Sequence, residues 1–130
     1  MEFEKAMQAA SAYLTFSERF IDPKAPQGLW FCSSIAEVSD IQCNAVSLGS
    51  GCDWDDVVKC RPFFEHFPYL VIVTTNAIAR EQMVQELRPR FPASCIYVVT
   101  DAGFRNCQTV RDFIDAYGFS HLPDILSGAE

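Results

Sequence analysis

Cys32-Ser33-Ser34, Gly49-Ser50-Gly51, Thr74-Thr75-Asn76-Ala77 and Asp101 are the places where this chain sets polar or reactive groups directly after apolar runs. Each run reads as a buried strand, and in open α/β sheets chemistry collects at the carboxyl ends of strands. Cys32 offers a thiol just ahead of a short helix, a position that can lower a thiol pKa and make a nucleophile. No acid–base partner accompanies it: His66 lies among phenylalanines and His121 in the last segment, both structural or surface readings. Ser33 and Ser34 suit helix capping better than nucleophilic attack. Gly49-Ser50-Gly51 resembles a phosphate-cradling loop at a helix start, and marks the candidate small-ligand site. It lacks the Gly-Lys-Ser/Thr ending of a P-loop and the full GxGxxG spacing, so a tight turn is the simpler reading.

Magnesium-dependent phosphoryl transfer needs two or three carboxylates converging on a hard cation. The first strand ends in Cys-Ser-Ser and the third in Thr-Thr-Asn-Ala, neither with an acid. Asp101 alone follows the fourth, and it reads as a loop or capping residue. Glu37 lies about one helical turn beyond the first strand and is expected off its tip. Asp53, Asp55 and Asp56 read as a solvated helix start, acids on the positive end of the dipole. The six cysteines, Cys32, Cys43, Cys52, Cys60, Cys95 and Cys107, contain no CxxC pair. They read as buried free thiols of a reducing compartment rather than zinc ligands or disulfides. These residues imply no cofactor.

The elements that must position these groups follow from periodicity. Phe3, Met7, Ala10 and Leu14 form a helical stripe over residues 2–15, and the Pro- and Gly-bearing segment 21–28 reads as a loop. Strands are expected at 29–32, 44–48, 69–75 and 94–100, the third being the strongest because its unbroken β-branched run implies burial on both faces. Between them fall helices at 35–41, from Asp53 with a break at Pro62, and from Asn76 to about Pro89. Phe63, Phe64 and Phe67 load the second with core or partner-facing rings. Val110, Phe113, Ile114 and Tyr117 mark a further helix ended by Gly118, and Ser120 opens a last short one with Leu122, Ile125 and Leu126. Four strands alternating with helices predict an α/β domain, a central mostly parallel sheet flanked by helices. Residues 1–28 read as an N-terminal helix and connector, and 29–130 as the domain.

Composition bounds the partners. The 130 residues hold 10 basic and 17 acidic side chains, a net charge of −7, which disfavours nonspecific nucleic-acid binding by the domain alone. With 49% hydrophobic and 21% charged residues the chain is not largely disordered. No apolar run reaches the ~20 residues of a membrane helix. The acidic start MEFEKAMQAA lacks the basic-then-apolar pattern of a secretory signal, so a soluble, cytoplasmic domain is expected.

From Leu29 to Gly118 the order of segments resembles a Toprim domain, the fold shared by primases, topoisomerases and related nucleases. It is most similar to the version in phage- and mitochondrial-type primase-helicases. Asn44-Ala-Val-Ser47-Leu-Gly-Ser-Gly51 matches the family's "NAVS-lp-nG", and Asn106-Cys107 through Asp112-Phe113-Ile114 to Gly118 echoes "KDANDFL-x-x-G". The family's Glu-Gly after the first strand corresponds to Cys32-Ser33, and its Asp-x-Asp after the third to Thr75-Asn76-Ala77. The resemblance therefore implies the fold while placing uncharged Cys32, Thr75 and Ala77 where magnesium-binding acids belong. It implies a catalytically degenerate scaffold or interaction module related to DNA replication, with other replication proteins or domains as partners and nucleic acid only within a larger assembly. The alternatives are an active magnesium-dependent phosphotransferase using Glu37 and Asp101, and a small nucleotide-binding domain using Gly49, Ser50 and Gly51. A receiver domain fits less well, because its phospho-accepting aspartate is also missing after strand three.

Overall fold

The computed structural model describes residues 2–24, 28–41, 44–91, 96–100 and 103–117. Its elements, in chain order, are α1 (Phe3–Ala10), β1 (Leu14–Thr15), a 3₁₀ turn (Glu18–Phe20), β2 (Leu29–Cys32), α2 (Ile35–Ile41), β3 (Ala45–Leu48), α3 (Trp54–Val58), α4 (Arg61–Phe64), β4 (Leu70–Val73), α5 (Ala77–Arg90), β5 (Ile96–Val98) and α6 (Val110–Tyr117). The sheet order is β1-β3-β2-β4-β5. β2, β3, β4 and β5 run parallel, and β1 adds antiparallel to β3 through Leu14–Leu48 and Thr15–Ser47. The predicted α/β class and mostly parallel sheet are present.

Both faces of the central strands are covered, which is why their sequences are continuously apolar rather than alternating. Leu29, Phe31, Leu70 and Ile72 point into one core, shared with α1, α4 and α5. Trp30, Cys32, Val71 and Val73 point into the other, shared with α2 and α6. The chain leaves β2 through α2 to β3 on one side, then returns past β2 to β4 and continues through α5 to β5 on the other. The connections thus diverge between β2 and β4, and that switch point is where an open α/β sheet leaves a crevice.

Several boundaries differ from the sequence expectations. The stripe over 2–15 stops as a helix at Ala10, and Leu14–Thr15 becomes a fifth strand, because pairing with β3 outweighs the helical spacing of Leu14. The helix from Asp53 is two: Asp53 and Asp56 form a reciprocal capping box at α3, and Pro62 sits in the first turn of α4, where its missing N–H costs nothing. Pro89 lies inside α5 in its last turn; Arg90 Nη1 donates to Glu86 O there, at 3.0 Å, satisfying an end carbonyl. The strand within 69–75 is trimmed to Leu70–Val73. The expected last helix with Leu122, Ile125 and Leu126, together with Gly118, Ser120, His121, Cys43, Cys95 and Asp101, lies outside the described residues.

The first residues join the main core. Phe3 stacks on Phe63 at 6.0 Å and meets Phe67 edge-on at 6.2 Å, while Phe16 stacks on Phe63 at 5.5 Å. Phe63, Phe64 and Phe67 are buried, so the rings belong to the core. Asn44, fully buried and with φ 44°, fastens the incoming segment to β3. Its Oδ1 accepts from Asp22 N at 2.6 Å and its Nδ2 donates to Asp22 O at 2.8 Å, while its own N–H bonds Phe20 O at 3.0 Å.

Candidate functional site at the strand tips

β2 and β4 end side by side, Cys32 pairing with Val73. The residues that follow, Ser33 and Thr74-Thr75, are joined by one side chain from α2. Glu37 Oε1 accepts from Ser33 N at 3.0 Å and Ser33 Oγ at 2.6 Å; Oε2 accepts from Thr74 Oγ1 at 2.9 Å and Thr75 N at 3.3 Å. Ser33 Oγ and Thr74 Oγ1 lie 2.8 Å apart. The expectation that Glu37 sits off the strand tip is therefore corrected. Side chains on a helix lean toward its N-terminus, and α2 starts so soon after β2 that a third-position glutamate reaches back over the strand ends. Ser34-Ile-Ala-Glu37 carries the Ser-x-x-Glu capping signature that announces this contact. Ser34 Oγ accepts from Glu37 N at 3.3 Å, while the Glu37 carboxylate takes Ser33 N, one residue before the cap.

The rest of the rim is capping chemistry. Asn76 caps α5, accepting from Ala79 N at 3.0 Å, and Arg80 Nη2 donates to Thr74 O at 2.9 Å. Thr109 Oγ1 accepts from Asp112 N at 2.9 Å at the start of α6. These ends border an open cleft of about 700 Å³ on the α2–α6 side. Asp40 and Arg111 face each other across it at 3.9 Å. Burial holds the Asp40 carboxyl above the usual carboxylate range, against the opposing pull of Arg111. Thr75 is half-buried in the cleft wall, and Ala77, the first residue of α5, is exposed.

Cys32 is fully buried, and burial, reinforced by the Glu37 charge, pushes its thiol well above the ordinary value. The thiol-lowering influence expected of a following helix is overridden here, so Cys32 is not an activated nucleophile. Cys60 is likewise raised by burial, to about 11. Cys32, Cys52, Cys60 and Cys107 are free thiols. His66 packs edge-on against Phe3 at 5.2 Å.

Gly49-Ser50-Gly51 follows β3 at the same carboxyl edge of the sheet as Ser33 and Thr74. Gly49 N donates to Tyr13 O at 2.7 Å, and a Cβ at Gly49 would stand 2.7 Å from that same oxygen. Gly51 takes φ +77°, and the following helix start is filled by the Asp53 and Asp56 carboxylates. At Gly49 the loop is fitted closely to the chain behind it, and that amide is taken by Tyr13 O. Among the described residues no three His, Cys, Asp or Glu side chains stand together as a metal site requires, and no helix is long and apolar enough to cross a membrane.

Comparison with protein-family models, with curated proteins and with solved structures finds no match to this chain.

Proposed function

We propose that this chain is a catalytically degenerate, Toprim-like α/β domain that serves as a scaffold or interaction module in a replication-related assembly. The observation that carries the reading is the state of Glu37, the acid that the described residues bring to the β2–β4 tips. Glu37 accepts four hydrogen bonds that tie α2, β2 and β4 together. A carboxylate so engaged has few lone pairs left for a cation, and hydrogen bonds to its ionised form are strong ones. The positions matching the family's acids are Cys32, Thr75 and Ala77, which offer a buried thiol, a hydroxyl and a methyl group. The ordered resemblance from Leu29 to Gly118 supports the replication context.

The test is activity. Purified protein incubated with single- and double-stranded DNA, ribonucleotides and magnesium or manganese should neither cleave nor relax DNA nor synthesise primers above a no-protein control. Metal-dependent turnover that disappears in the Glu37→Ala, Asp101→Ala double variant would establish the phosphotransferase alternative instead.

A further inference from the structure

Two hollows flank the sheet tips and share Ser33 and Ala79 in their walls. One is the polar cleft beside α2 and α6. The other, about 240 Å³, opens between α3 and α5. Its floor is Phe31, Leu48 and Met83, its wall is the half-buried Trp54 ring 5.7 Å from Phe31, and the exposed Gln82 amide stands at its mouth. At about 30 Å³ per water this space matches about eight waters, enough for one planar ring system. The lining is mixed, with Phe31, Met83 and Trp54 set against Ser33 and the Gln82 amide, and such a hollow at a sheet's switch point is where a small ligand is held.

The neighbouring cleft selects what the ring carries. Ser34, Thr75, Asn76 and Gln108 line it with hydroxyls and amides. Among the described residues its charged groups are two carboxylates, Glu37 and Asp40, against one guanidinium, Arg111, in a chain of net charge −7. Such a field repels a phosphate and accepts a neutral polyol. We propose that the paired hollows form a binding site for a nucleoside-like ligand, its heteroaromatic ring against Trp54 and its hydroxylated arm passing Ser33 into the cleft. This site borders the Gly49–Gly51 loop through Leu48 and Trp54 but does not draw on its amides, requires no phosphate and no metal, and goes beyond the scaffold reading without resting on it.

The experiment is a fluorescence titration of the whole chain with adenosine in the presence of EDTA. Trp30 is 1% exposed, so a ligand-induced change reports Trp54. Saturable quenching is expected, with AMP weaker by about tenfold or more because of its charge. Ala79→Leu, which fills the junction, and Gln82→Phe, at an exposed position over the mouth, should each weaken adenosine by about tenfold while the melting temperature without ligand stays unchanged. Absence of saturable quenching at millimolar adenosine overturns the proposal. So does AMP binding as tightly as adenosine, or undiminished binding by whichever of the two variants folds.

Discussion

Replacing Asn44 tests how the N-terminal segment is held to the sheet. The side chain makes two hydrogen bonds to the Asp22 backbone, and the residue stands at φ 44°. Asp22 is exposed, so its freed N–H and C=O regain water, and each lost bond costs about 1 kcal/mol rather than the full burial penalty. Alanine keeps the Cβ in left-handed backbone but loses the short polar side chain that makes this conformation tolerable for asparagine, about 1–2 kcal/mol more. Asn44→Ala should therefore lose about 3–4 kcal/mol. Asn44→Gly loses the same bonds but enters that backbone freely, and adds only about 0.5–1 kcal/mol of chain entropy. The glycine variant should consequently be the more stable of the two, against the usual order. Urea unfolding followed by circular dichroism measures both, the alanine midpoint moving by at least about 1 M for ordinary m-values. Two variants within 1 kcal/mol of the parent, or alanine more stable than glycine, would refute the reasoning.

Phe63, fully buried against Phe3, Phe16, Phe64 and Phe67, should cost about 3–5 kcal/mol as Phe63→Ala in the same unfolding assay; a loss under about 1 kcal/mol would remove it from the core. Thiol alkylation at mildly alkaline pH, read by mass spectrometry, should modify the half-buried Cys52 and Cys107 well before Cys32 and Cys60, whose thiols burial pushes up; early labelling of Cys60 would contradict its placement. The acid limb of stability should be biphasic. Burial raises the Asp40 carboxyl, so its ionised form opposes folding and stability rises as pH falls through that raised value. Asp56 is depressed by the Asp53 N–H and by Lys59; its contribution is full above the unfolded carboxylate range and is lost as pH falls through the depressed value. Asp40→Asn should erase the rise and Asp56→Asn should weaken the later fall, each read from unfolding midpoints across the acid range.

Much of the architecture was legible because burial leaves a local trace. Leu29–Cys32 and Leu70–Val73 are apolar at every position, the mark of strands covered on both faces, and Asn76 and Asp53 sit where helix caps belong. β1 left no such trace. Two residues carry no period, and Leu14–Thr15 is a strand only because β3 lies beside it. The tertiary roles of Asn44 and Arg80 were hidden for the same reason, since Asp22 and the Thr74 carbonyl reach them through the fold. Glu37 was different: Ser34-x-x-Glu37 stood in the sequence as a capping signature, and the backward lean of helical side chains predicts its reach. What the sequence could not display was that the same carboxylate would also meet Thr74 and Thr75 on the neighbouring strand.

Calorimetric titration of the purified chain with magnesium, then manganese, addresses the strand-tip carboxylate most directly. With Glu37 engaged by Ser33, Thr74 and Thr75, only heats of dilution are expected, identical in the parent and in Glu37→Ala. A saturable one-site heat in the parent that Glu37→Ala abolishes would contradict the account.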